Sequence, residues 1–229
     1  VERSRGLGDV YKRQEQEEFS FSSHNKAVAA RDAGKFDNEI IPITLEDGTV
    51  IDKDSGPRNP DKEKIKSLNP AFRADGTVTA ATSSPFSIGA SAMLITSEKF
   101  ANEHGLKIRA FVEGRAVAGV NWKMFGSGPV PATEKALEKA GLTMDDIDAV
   151  ELNEAFAAQA LYCIKKSNWD INKVNLNGGA VALGHPLGIS GTRIITTLLN
   201  VLEQQDKSMG LATMCVGTGQ GITTIIKRG

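Results

Sequence analysis

Asn175-Leu-Asn-Gly-Gly-Ala-Val-Ala-Leu-Gly-His185-Pro-Leu-Gly-Ile-Ser-Gly-Thr-Arg193 sets one histidine among five glycines, with a proline directly behind it. Glycine stands where a chain turns tightly or lets a backbone come close to something else. A helical apolar pattern follows at once in Ile194, Ile195, Leu198, Leu199, Val201 and Leu202. The stretch therefore reads as the end of a strand, a tight loop presenting His185, and a buried helix. That is how a scaffold holds a reactive side chain still. A lone histidine is more often structural than catalytic, but here no helical face claims it.

Working outward, the same alternation of strand and helix recurs. Residues 15–33 have a helical pattern stopped by Gly34, and 62–68 form a short helix ended before Pro70. Between them, 39–45 and 49–51 read as a hairpin around Asp47-Gly48, and 53–61 as a polar surface loop. Residues 76–82 read as a strand, and 83–95, rich in Ser, Gly and Ala and then apolar, as a segment packed closely against neighbours. Further on come a helix at 97–104, a strand at 107–117, a helix at 129–141, a strand at 147–152 and a helix at 155–165. After the His185 loop and its helix to Gln205, residues 210–216 and 222–226 form a strand pair, antiparallel because the joining loop is short. Strands alternating with helices mean an α/β layered fold.

Composition narrows the function. The 229 residues carry 27 Lys+Arg against 28 Asp+Glu, so no basic field points to nucleic acid or an anionic membrane. No apolar run is long enough to cross a bilayer, and no signal-peptide core follows the early basic residues. Two isolated cysteines, Cys163 and Cys215, make neither a disulfide framework nor a zinc site, so no metal is expected, and a reducing, cytoplasmic compartment is the default. The first residues stand apart. Gly6-Leu-Gly-Asp-Val-Tyr-Lys-Arg-Gln14 resembles translated library-adapter sequence, so residues 1–18 are expected to be a non-native or disordered tail on a chain whose own N-terminus is missing.

Three loops carry polar groups at strand ends, where α/β folds place their sites. One is Leu152-Asn153-Glu154-Ala-Phe156; Asn153 could supply a fixed hydrogen-bond donor, or simply cap the next helix. Another is the His185 loop. The third is Cys215-Val-Gly217-Thr-Gly219-Gln-Gly221. Its cysteine could be a small core residue, or an exposed thiol beside backbone N–H groups. The glycine run is not a dinucleotide fingerprint, because a strand rather than a helix follows it, and no phosphate-loop motif occurs. A nucleotide-binding protein is therefore disfavoured.

In this order the three loops resemble the signature blocks of the thiolases, from Phe19 to the end of the chain. Ser23-His-Asn-Lys-Ala, Asn69-Pro-Ala-Phe72, Gly76-Thr-Val-Thr-Ala80 and Gly126-Ser-Gly-Pro-Val-Pro131 support the match. Thr82-Ser-Ser and Leu176-Asn-Gly-Gly look more like degradative 3-ketoacyl-CoA thiolases than biosynthetic acetoacetyl-CoA ones. The resemblance implies a layered α-β-α-β-α fold. Residues 19–105 would supply the end of the loop domain and the closing segment of the N-terminal half, and 106–229 the whole C-terminal half. It implies acyl transfer between 3-ketoacyl-CoA and coenzyme A, with no permanently bound cofactor and CoA thioesters as partners. It also implies a homo-dimer or homo-tetramer for the full-length protein.

Residue by residue, the resemblance makes His185 the base and an oxyanion donor, Asn153 the holder of a water in the same oxyanion hole, and Cys215 the acid/base thiol. The backbone N–H of Gly217 falls in a second oxyanion hole. Arg58 is placed at the CoA phosphates, and Phe72, Ala80, Ser84 and Phe156 along the CoA channel. The family's nucleophile, a cysteine in a Cys-Ser/Ala-Ser-Gly motif, has no counterpart in this sequence; Cys163, mid-helix between Tyr162 and Ile164, reads as core. An inactive binding or assembly fragment is therefore the competing reading. The related ketoacyl synthases carry a second histidine where Cys215 stands, which argues against them. Two positions depart from the family pattern: Ile88 stands where an Asp is common, and Phe125 where a Met is common near the acyl pocket, so by the latter acyl-chain preference can differ.

Overall fold

The computed structural model describes residues 12–229. In chain order the elements are α1 (Arg13–Asp32), β1 (Ile43–Thr44), β2 (Val50–Ile51), α2 (Lys62–Ser67), α3 (Glu98–Glu103), β3 (Ala110–Gly119) and α4 (Pro129–Ala140), then β4 (Ala149–Leu152), α5 (Ala157–Lys166), α6 (Ala180–Leu183), α7 (Ser190–Gln204), β5 (Met209–Val216) and β6 (Gln220–Arg228). The main sheet has the order β3-β6-β5-β4. β6 pairs antiparallel with both β3 and β5, while β4 pairs parallel with β5, Leu152 opposite Thr213. The parallel pair matters for function, because it brings the C-terminal ends of β4 and β5 to the same edge.

Helices cover both faces of this sheet. α4 starts with Pro129, whose missing N–H costs nothing in a first turn, and stops at Gly141 with φ 66°. Its buried Val130, Thr133, Ala136 and Leu137 form one stripe against β3 and β6. On the opposite face, α7 buries Ile194, Thr197, Leu198, Val201 and Leu202 at helical spacing against β4 and β5. Each fully buried leucine there contributes about 1.5–3 kcal/mol relative to exposure. α1 lies outside α5 and α6. Facing α6 it presents the small residues Ser23 and Ala27, and a Cβ on Gly178 would stand 2.7 Å from the Ser23 carbonyl and the Ala27 methyl. This close approach brings Ser23 to the site.

Several expectations are corrected. Residues 13–18, assigned to a non-native or disordered tail, belong to α1. Arg13 donates to the Lys66 and Leu68 carbonyls at 2.9 and 2.6 Å, and Gln16 to Thr77 at 2.9 Å. Residues 1–11 of that tail lie outside the described residues. Residues 76–82 are not a strand: Thr79 and Thr82 close a 3-10 turn by hydrogen-bonding each other's backbone and side chains. No strand ends at Asn175; a single parallel bridge joins Val174 to Val150. The 83–95 segment packs closely only in part. Ser84 and Ser91 hydrogen-bond the Ala155 and Ile189 carbonyls and Met93 packs against the α7 cluster, but Phe86 and Ile88 are fully exposed and Leu94 and Ile95 largely so. The α/β layering is present as helix, sheet, helix; among the described residues no second large sheet forms.

Candidate active site

The site grows from the end of β4. Asn153 continues that strand, its N–H donating to the Thr213 carbonyl at 2.9 Å, and its side chain is buried. It is not a helix cap: the residue before α5 is Phe156, three positions on. Glu154 beside it is the hub of the region. Its carboxyl accepts from Ser23 Oγ at 2.7 Å, Asn175 Nδ2 at 2.7 Å and the Val181 N–H at 3.1 Å, tying α1, β4 and α6 together. Burial pushes this carboxyl above its ordinary range, and the hydrogen bonds from Asn175, Ser23 and Val181 pull it back. Gly179 has no side chain because a Cβ there would collide with that carboxyl.

His185 leaves α6 through Gly184, at φ 96°, a conformation L side chains rarely adopt. Its Nδ1 lies 2.6 Å from Ser190 Oγ, and Ser190 Oγ donates to the Pro186 carbonyl at 3.0 Å. A hydroxyl has one proton, so with that proton on Pro186 it accepts from Nδ1–H. The neutral imidazole therefore keeps its lone pair on Nε2. Asn153 Nδ2 donates to that nitrogen at 3.3 Å. The second atom of the same amide, Asn153 Oδ1, is buried without a protein partner, and can accept from a water or a ligand. Burial, and secondarily the charge of Arg193, holds His185 below the ordinary histidine range. It is thus neutral at neutral pH, the form a base requires.

Cys215 lies at the C-terminal end of β5, next to the end of β4 and opposite Gly221 of β6. It is buried, and burial pushes its thiol up to about 11. The group is held protonated at neutral pH, able to give a proton before it takes one. Among the described residues no hydrogen bond links it to His185 or Asn153. Gly217 is exposed, and a Cβ there would meet nothing within 4 Å, so ligand can approach its backbone. The loop is set by Thr218 and Gly219, at φ 68° and 93°; a Cβ on Gly219 would meet the Val120 carbonyl at 2.5 Å. Cys163 is core, its thiol donating to the Gly126 carbonyl and pushed far up by burial.

Of the residues expected along a CoA channel, three come together beside Asn153. Phe72 meets Phe156 edge-on, ring centres 6.0 Å apart, and Ser84 donates through both N–H and Oγ to the Ala155 carbonyl at 3.1 Å. Ala80 is exposed on the 3-10 turn just before Ser84. Arg58 stands apart, exposed, its charge reaching His24 of α1. His24 is buried with Nδ1 unpartnered; burial first and Arg58 second push it down to about 4. Sequence reasoning did not single out His24, Ser190 or Glu151. For Ser190 a signal existed, since it lies five residues after His185 at a helix start. A cleft between α1 and α5, lined by Glu18, Ser22, Lys26 and Leu161, contains neither His185 nor Cys215. No helix among the described residues is long and apolar enough to cross a membrane.

Residues 106–228 match the family described as "Thiolase, C-terminal domain" and residues 9–99 match "Thiolase, N-terminal domain". The 3-ketoacyl-CoA thiolase of Vibrio parahaemolyticus is 54% identical over 229 residues, covering 94% of this chain and 58% of that protein. That of Vibrio cholerae is 55% identical over 225 residues with the same coverage. The chain thus spans about 58% of the length of these curated relatives. Among solved structures, the Bacillus anthracis acetyl-CoA acetyltransferase superposes with a TM-score of 0.96 at 41% identity, over 100% of this chain and 59% of that one. The human mitochondrial 3-ketoacyl-CoA thiolase in complex with CoA gives 0.95 at 38%, over 100% and 58%.

Proposed function

The chain belongs to the thiolase family, and from that premise we propose that it supplies the base, oxyanion and proton-transfer half of a 3-ketoacyl-CoA thiolase site. The observation that carries the reading is the pairing of buried Asn153 with half-buried His185, with Nε2 held as a lone-pair base beside the ends of β4 and β5. The reaction would cleave a 3-ketoacyl-CoA with coenzyme A to acetyl-CoA and a shortened acyl-CoA, or run in reverse. Curated relatives named 3-ketoacyl-CoA thiolase at 54–55% identity support the degradative subtype. The biosynthetic alternative draws support from the 0.96 superposition on an acetyl-CoA acetyltransferase.

The chemistry assigns each group a task. A cysteine nucleophile with an ordinary pKa of about 8.5 is mostly protonated at neutral pH, so His185 Nε2 takes its proton. The resulting thiolate attacks the 3-keto carbon, and the C2–C3 bond breaks, its electron pair leaving as the acetyl-CoA enolate. The enolate oxygen is stabilised by His185, now protonated at Nε2, and by a water on Asn153. The protonated thiol of Cys215 gives its proton to the enolate carbon, then takes one from the CoA thiol that releases the acyl group. The Gly217 N–H serves the second oxyanion. Phe72, Ser84 and Phe156 line the approach, Ala80 borders it, and Arg58 meets the CoA phosphates. CoA is a co-substrate here, not a resident cofactor. A cytoplasmic dimer or tetramer is the accompanying expectation.

The two cysteines of this chain are the core Cys163 and the acid/base Cys215, so the nucleophile must come from elsewhere. The 229-residue chain should therefore not cleave acetoacetyl-CoA or longer 3-ketoacyl-CoA in the presence of CoA. A longer polypeptide that joins a Cys-Ser/Ala-Ser-Gly block to this chain should. Turnover across acyl-chain lengths decides the subtype: preference for longer chains supports the degradative reading, and activity confined to acetoacetyl-CoA the biosynthetic one.

A further inference from the structure

Two side-chain bridges join the end of β4 to the segment that carries His185. Asn153 reaches His185 at 3.3 Å, and Glu151, two residues earlier, reaches Arg193 at 3.4 Å. Residues two apart on an extended strand point the same way, so both bridges lie on one face. On the other side, Ser190 and Arg193 are three apart in α7 and share one face of its first turn. Since His185 rests on Ser190, Arg193 sits one helical turn behind the imidazole.

Helix stability does not account for an arginine there. The N-terminal end of a helix is already positive, and a cation in the first turn is opposed rather than favoured. The first turn of α7 has no acidic residue to offset it. The guanidinium is only partly satisfied, since Nη2 is buried without a partner. Three carboxyls face it: Glu151 from β4, Glu39 just before β1, and Asp54 from the loop after β2. Glu151 in turn faces Glu39, Glu154 and, from α1, Lys26. Burial pushes Glu151 up to about 8, and desolvation raises Glu39 and Asp54 as well. At neutral pH, then, the carboxyl that tethers Arg193 is mostly protonated and does not cancel its charge.

We propose that Arg193, tethered by Glu151, is a positioning residue for His185: its positive charge, one helical turn behind the imidazole, disfavours the imidazolium, so Nε2 keeps the lone pair a base needs. The inference rests on the reading of His185 as the base, and it concerns protonation before any substrate binds.

The chain has three histidines, His24, His104 and His185, so a histidine Cε1–Hε1 NMR titration of the full chain resolves each one. R193Q should bind a proton at His185 at least about threefold more tightly than the parent, half a pKa unit. R193K, which keeps the charge, should titrate close to the parent. E151Q should leave His185 unmoved, because Glu151 is already protonated where His185 titrates. His24, governed by burial and Arg58, should stay in place throughout. R193M fills the same space without charge and replaces R193Q if that variant does not fold. An unshifted His185 in the uncharged variants would overturn the proposal, as would R193K shifting like R193Q, or E151Q shifting by a similar amount. Any of these would remove the role of Arg193 and leave the thiolysis reading to the turnover assay.

Discussion

The two family-matched parts of the chain, 9–99 and 106–228, differ in how far they bury their large apolar residues. In the second, Leu152, Leu198, Leu202, Leu211 and Ile225 are fully buried between α4, the sheet and α7. In the first, Ile41, Phe86, Ile88, Leu94 and Ile95 face solvent. The proposed site residues follow the same division. Asn153 and Cys215 lie at the ends of β4 and β5 and His185 on the loop after α6, whereas the first part contributes Ser23 from α1, and Phe72, Ala80, Ser84 and Arg58 from short turns and loops. The lesson is that the precision of this site comes from the second part. The first part reaches it mainly through α1, whose Ser23 ties into Glu154.

That contrast can be broken by mutation, starting where the largest change is expected. Leu211→Ala should cost about 2–5 kcal/mol, because it opens a cavity between β5 and the helices; urea unfolding of the chain measures this. Glu154→Ala strips the acceptor from Ser23, Asn175 and Val181 and should cost about 3 kcal/mol. Because Glu154 joins the two parts, its loss should also increase protease cleavage within α1, and an unchanged digestion pattern would show that the link is not what holds α1 down.

A pH series sharpens the comparison further. Glu151 titrates at about 8 in the folded chain and at its ordinary 4.5 when unfolded. The folded state then holds the extra proton, so stability conferred by that proton is complete below about pH 4.5 and is lost as pH rises to about 8. E151Q should match the parent near pH 5 and be more stable at pH 8 by a few kcal/mol, on the order of 1.4 per pKa unit. Equal stability of the two at both pH values would contradict the burial of that carboxyl. The smallest effect belongs to the first part: Phe86→Ser and Ile88→Ser should change unfolding free energy by no more than about 0.5 kcal/mol. A loss as large as that of Leu211→Ala would mean that Phe86 and Ile88 are packed after all.

What was legible in the sequence follows the same divide. Helices with clear stops, α1 at Gly34 and α4 at Gly141, and the strand pair β5–β6 could be read from local pattern. Thr77, Val78 and Thr79 suggested a strand, because β-branched residues favour one. The Thr79–Thr82 hydrogen bonds satisfy the backbone locally instead, which pattern alone does not reveal. Asn153 and His185 were visible as polar residues at strand and loop ends. Their coupling was not, because it depends on Ser190 and on a strand 32 residues away. Glu151 looked like one more residue of an apolar strand until Arg193 was seen across from it. Such partners are set by tertiary packing, which spacing along the chain cannot express.

The central claim is that His185 is the working base of this site and Cys163 an inert core thiol. Thiolysis of a 3-ketoacyl-CoA by the longer polypeptide carrying the nucleophile block tests it directly, with His185→Ala and Cys163→Ala compared at equal folded concentration. The account predicts a fall of about 10²–10⁴-fold in kcat for H185A, and a change within a few fold for C163A. An H185A enzyme that turns over normally, or a C163A enzyme that is folded and inactive, would contradict it.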